Sequence, residues 1–130
     1  MRKLLLDTSI IIDFLRHKDK EETHLYKLSE EDLYMSIITH TELYAGKSVW
    51  EKKTARKELE ELFSGIDILP LNQEISILAG QIKAFHQNLT LLDCLIAATA
   101  VYFKLDLVTF NTKDFGVLKE VRLFKETLVS

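Results

Sequence analysis

The feature that most constrains this fold is a short apolar run, Leu4-Leu5-Leu6, that stops abruptly on a carboxylate, Asp7. Two hydroxyl residues follow, Thr8 and Ser9, and then a second apolar run, Ile10-Ile11-Ile12, with a different period. A continuous apolar run of strand length predicts a strand covered on both faces. The segment from Ser9 to about Arg16 reads as a helix. In open α/β sheets, ligands bind outside the carboxyl ends of the strands. Asp7 stands at such a place.

The rest of the chain repeats the alternation. Strands are expected at Leu33–Ile37, Ile66–Leu69 and Leu105–Thr109, with a last edge strand within Val121–Phe124. The charged stretch Lys18–Ser29 reads as a surface helix, and Thr39 to Glu42 opens a helix toward Gly46. Val49–Phe63 carries an amphipathic stripe at residues 55, 59, 62 and 63. Ile75 to Phe85 marks another such helix. Thr90–Phe103 is apolar almost all round, which predicts a buried central helix. Asn111 to Gly116 reads as a polar loop with a single helical turn. Strands alternating with helices predict an α/β fold with a mainly parallel sheet of about four or five strands, helices on both faces.

Composition narrows the class. The chain has 130 residues, 47% hydrophobic and 28% charged, which predicts one domain over 1–130 with its own core. One cysteine, Cys94, excludes an intrachain disulfide and a cysteine metal cage. Arg2 and Lys3 before leucines imitate a signal peptide, but Asp7 and Asp13 interrupt the run. No apolar stretch reaches membrane-spanning length, so the reading is cytoplasmic, without a membrane. The net charge of −3 does not itself point to nucleic acid, although local patches outweigh the sum.

Four carboxylates fall in equivalent places. Asp7 follows strand one. Glu42 is expected in the first turn of the helix after strand two, and Asp93 in the first turn of the buried helix. Asp114 follows strand four. Strand ends and helix N-termini at one sheet edge can converge on one cleft, and packed carboxylates need a cation to offset their repulsion. Oxygen-only ligands suit Mg²⁺ or Mn²⁺. Each acid also has a structural reading: Thr39-x-x-Glu42 fits a capping box, Thr90-x-x-Asp93 is its shorter analogue, Asp114 can cap a turn with Asn111, and Asp7 can cap the first helix.

Four segments carry a resemblance: Leu5-Leu6-Asp7-Thr8-Ser9; Thr39-His40-Thr41-Glu42-Leu43-Tyr44-Ala45-Gly46; Leu92-Asp93-Cys94-Leu95-Ile96-Ala97-Ala98-Thr99-Ala100; and Leu107-Val108-Thr109-Phe110-Asn111-Thr112-Lys113-Asp114-Phe115. In this order and spacing they resemble the signature segments of PIN-domain proteins, above all the VapC-type toxins of toxin–antitoxin pairs. The resemblance implies a three-layer α/β/α fold and a metal-dependent endoribonuclease of a type II toxin–antitoxin system. It implies an RNA substrate, a cognate antitoxin covering the cleft, and a homodimer or a hetero-oligomer with the antitoxin. Asp7, Glu42, Asp93 and Asp114 match the catalytic, metal-holding acids, with Mg²⁺ or Mn²⁺ as cofactor. Some relatives carry Asp at the place of Asn111. Thr109 matches a supporting hydroxyl. The segment 86–92 is shorter than usual and lacks the frequent Gly and Pro.

Two alternatives follow from the same residues. A catalytically silent module would bind RNA or protein without cutting. An aspartate-nucleophile phosphatase would use Asp7, but such enzymes usually carry a second Asp two residues on, where this chain has Ser9. Lys47, Lys52, Lys53, Arg56 and Lys57 form the densest basic cluster, read either as an RNA-facing patch or as a solvated face paired with Glu51, Glu58 and Glu60. The histidines have no metal-ligand spacing. Tyr44 and Trp50 read equally as core or as interface aromatics.

Overall fold

The structure, a computed structural model, describes residues 1–125. Four strands form the sheet: β1 (Lys3–Leu6), β2 (Asp32–Ser36), β3 (Asp67–Leu69) and β4 (Asp106–Val108). Their order is β3-β2-β1-β4, and every pairing is parallel. Among the described residues eight α-helices accompany them: α1 (Thr8–Arg16), α2 (His24–Lys27), α3 (Ile37–Tyr44), α4 (Lys47–Glu51), α5 (Lys53–Phe63), α6 (Gln73–Phe85) and α7 (Leu91–Phe103) between the strands, and α8 (Thr112–Phe115) after β4.

The β1 run explains the layering. Successive strand side chains point to opposite faces. Leu5 joins Ile75, Ala79, Ala97, Leu107 and Phe115 under α6 and α7. Leu4 and Leu6 join Ile10, Ile11, Met35, Leu43 and Leu59 under α1, α3 and α5. All three leucines are fully buried, as a strand covered on both faces requires. The α/β/α sandwich is therefore as expected. On the buried side of α7, Ala97, Ala98 and Ala100 keep the helix surface low, and the helix packs closely against α6.

Three expectations are corrected. The helix after β2 begins at Ile37, because the Ser36 hydroxyl accepts a bond from the Ile38 amide (3.0 Å) and caps it. Glu42 thus lies in the second turn rather than the first. Thr39 and Glu42 form no capping box, since both are inside the helix. The Val49–Phe63 helix is two helices, α4 and α5, divided at Lys52, whose backbone is extended (φ −124°, ψ 116°). The expected edge strand is a single parallel bridge, Leu107 to Leu123, held by the Leu107 amide on the Arg122 carbonyl (2.8 Å) and the Phe124 amide on the Leu107 carbonyl (2.9 Å).

Candidate active site

The chain leaves β1 toward β2 and β3 on one side and returns to place β4 on the other. The sheet's topological switch point is therefore the β1/β4 pair, where ligand crevices form in such sheets. Asp7 ends β1 there, and its amide donates to the Val108 carbonyl at the end of β4 (2.9 Å).

Asp7 is only 6% exposed. Burying a carboxylate is costly unless its oxygens are hydrogen-bonded, and three donors meet this one. The Thr8 amide bonds Oδ1 (2.9 Å), and Oδ2 accepts from Ser9 Oγ (3.0 Å) and Thr109 Oγ1 (2.6 Å). Thr109 Oγ1 is itself steadied by the Asn111 amide (2.9 Å). Asp7 is also the cap of α1, as its structural reading expects.

Thr8 connects the second acid. Its hydroxyl donates to Glu42 Oε1 (2.7 Å) and shares a 3.0 Å hydrogen bond with the buried Thr39 hydroxyl. One residue thus holds Asp7 through its backbone and Glu42 through its side chain.

Asp93 sits in the first turn of α7, where Thr90 Oγ1 caps the Asp93 amide (3.1 Å). The segment before it is stapled by Lys83, whose Nζ donates to the carbonyls of Gln87 (2.7 Å) and Leu89 (2.6 Å). Burial pushes the Asp93 carboxyl above its ordinary value, and the negative charges of Asp7 and Asp114 add to the rise. The Thr90 side chain pulls it partly back. Asp114 lies in the short α8 and accepts from Asn111 Nδ2 (3.1 Å). Asn111 and Asp114 are therefore partners, with the amide supporting the carboxylate.

The structure ties Glu42 to Asp7 through Thr8 and Asp114 to Asp7 through Asn111 and Thr109, with Asp93 at the start of α7. Sequence reasoning assigned no role to Thr8 or Ser9. The signal was present: hydroxyls directly after a capping carboxylate at a helix start are placed to bond it. A cleft of about 210 Å³ opens beside Glu42, lined also by Arg16, Leu43, Gly46 and Val49.

Among the described residues, no three His, Cys, Asp or Glu side chains form a ready-made metal cage. The donor set still suits a hard cation. It is all oxygen, the donor type that Mg²⁺ and Mn²⁺ take. Mg²⁺ keeps several waters and needs only one or two direct carboxylates, so an open acidic cleft accommodates it.

A parallel α/β/α sandwich with acids gathered at its switch point defines the class: an α/β protein with an acidic cleft at the carboxyl edge of the sheet. The PIN domain family model matches residues 4–121, and the chain belongs to that family. It is 30% identical over 124 residues to Ribonuclease VapC19 of Mycobacterium tuberculosis, covering 91% of this chain and 96% of that relative. It is 33% identical over 125 residues to Ribonuclease VapC1 of Methanocaldococcus jannaschii, covering 93% and 85%. It also superposes on a solved toxin–antitoxin complex from Klebsiella pneumoniae, with a TM-score of 0.70 and 26% identity over 91% of this chain and 94% of that one. No helix among the described residues is long and apolar enough to cross a membrane.

Proposed function

We propose that this chain is a metal-dependent endoribonuclease, the VapC-type toxin of a type II toxin–antitoxin pair. The observation that carries the reading is the chain of hydrogen bonds that ties three acids together at the β1/β4 switch point: Thr8 joins Asp7 to Glu42, and Thr109 and Asn111 join Asp7 to Asp114. Carboxylates held this way are stabilised by a divalent cation. The ribonuclease names of VapC19 and VapC1 agree with it.

Asp7, Asp93, Asp114 and Glu42 would hold Mg²⁺ or Mn²⁺, directly or through water. Such an ion, when bound, lowers the pKa of water and offsets charge on a phosphodiester. Asp7 is fixed by its three donors, so it presents a rigid oxygen. Thr8 holds one oxygen of Glu42 and leaves the other to orient the attacking water and receive its proton. Asn111 and Thr109 keep Asp114 and Asp7 in register.

The partner is an antitoxin that covers the cleft; the Klebsiella relative was solved as a toxin–antitoxin complex. The chain acts in the cytoplasm as a single domain, as a homodimer or a hetero-oligomer with the antitoxin. The test is RNA cleavage by the purified chain. Cutting with Mg²⁺ or Mn²⁺ that stops on adding EDTA supports the reading. A folded chain that binds RNA but never cuts it favours the silent binding module instead.

A further inference from the structure

The basic cluster departs from the paired face that its sequence allows. Among the described residues, none of Lys47, Lys52, Lys53, Arg56 and Lys57 makes an ion pair, and Glu58 pairs instead with Lys20 (3.3 Å). The charges are also poorly placed for the helix that bears them. The first turn of α5 has no acid and no side-chain cap, while Lys52 and Lys53 sit at its positive end. Lys53 and Lys57 are like charges four residues apart, which weakens a helix. This arrangement sacrifices local stability to hold positive charge.

Trp50 lies among these cations. It is the chain's single tryptophan and is 62% exposed. It is nevertheless held in one orientation: its indole N–H donates to the Tyr44 carbonyl (2.6 Å), and the Tyr44 ring lies 5.9 Å away. The Arg56 guanidinium sits 5.9 Å from the indole centroid. An exposed, pre-oriented aromatic beside an arginine, on helices that carry further cations without ion pairs, is the combination that binds single-stranded nucleic acid, the ring stacking a base and the cations tracking phosphates. Continuity with Glu42 supports this. The cleft beside Glu42 runs past Gly46, Ser48 and Val49 to Ala55, beneath the α4–α5 junction.

We propose that Trp50 and the α4–α5 cations form a binding site for unpaired RNA, with one base stacked on Trp50 and the flanking phosphates on Lys52, Lys53, Arg56 and Lys57. The site feeds a single strand toward Glu42. The choice of RNA as ligand rests on the ribonuclease reading; the stacking site itself is tested separately.

The lone indole is its own reporter. A single-stranded RNA oligonucleotide is titrated into the Asp7→Asn chain with Mg²⁺, following indole emission and the anisotropy of a label on the RNA. Quenching with the same midpoint as the anisotropy is expected, and affinity should fall steeply with salt. Trp50→Ala should weaken binding about 5- to 150-fold, Trp50→Phe less. The double variant Lys53→Glu, Lys57→Glu should weaken it and flatten the salt dependence. Circular dichroism shows whether each variant folds. Unchanged emission together with unchanged affinity in Trp50→Ala overturns the proposal. So does equal quenching by a glutamate decapeptide, which would mark an acidic-peptide surface. The two readings fail separately. If the wild type cuts no RNA while Trp50 still responds, the nuclease reading falls and the site stands. If the wild type cuts RNA and Trp50→Ala leaves its KM unchanged, the site falls.

Discussion

Thr109 and Asp93 show how single side chains set this cleft. The Thr109 hydroxyl bonds a buried carboxylate at 2.6 Å. A hydrogen bond to a charged group contributes about 1.5–3 kcal/mol. Thr109→Val, close in shape, is therefore expected to lower unfolding stability by about that amount in urea titrations. It should also reduce cleavage about 10- to 100-fold, as loss of an outer support around a metal site does. Thr109→Ser should recover most of both. Asp93 behaves in the opposite sense. Its carboxyl is raised by burial and by its acidic neighbours, so the folded state holds its proton more tightly than the unfolded chain. Stability from this group is present at low pH and lost as pH rises through the folded-state value. Asp93→Asn should thus melt higher than wild type at neutral pH in EDTA. The gap should close in acid, where both side chains are uncharged. Asp7 and Asp93 were legible in the sequence because each interrupts an apolar run. The Thr8 bridge to Glu42 was not, because it depends on the register of α3.

That register belongs to the elements. Ser36 is fully buried and starts α3, so it decides which α3 residues face Thr8. Ser36→Ala should cost about 1 kcal/mol, as loss of such a cap does, and lower cleavage by displacing Glu42. At the other end of the buried helix, Lys104 adopts the left-handed conformation (φ 58°) with a non-glycine side chain. Lys104→Gly relieves this strain and should raise stability by about 1 kcal/mol, read from the thermal midpoint. The strands and the buried α7 could be read from apolar runs and composition. The division of α4 from α5 could not. Val49, Leu59, Leu62 and Phe63 belong to one apolar cluster on the same side of the sheet, so one amphipathic stripe spans the break at Lys52. The helix start was misplaced for a related reason. Thr39-x-x-Glu42 has the spacing of a capping box, and Ser36, at the strand end, left no comparable mark.

At the scale of the whole molecule, Asp7 and Asp93 keep the helix-start places of their structural reading, whereas Glu42 does not. Asp7 caps α1 and is linked through Thr8 to Glu42, and Asp93 lies in a first turn capped by Thr90. The fold brings strand ends and helix starts to one edge, and the order of four short segments pointed to the PIN family that the chain belongs to. A cation bound only by the folded chain stabilises it by mass action. Adding Mn²⁺ should therefore raise the thermal midpoint of the wild type in a concentration-dependent way, and much less that of Asp7→Asn. The most direct measurement is RNA cleavage by wild type and Asp7→Asn side by side, with Mg²⁺ and with matched circular dichroism. The account predicts that the wild type cuts and the folded variant does not. Equal cutting by the variant would show that Asp7 is only a helix cap and would contradict the account.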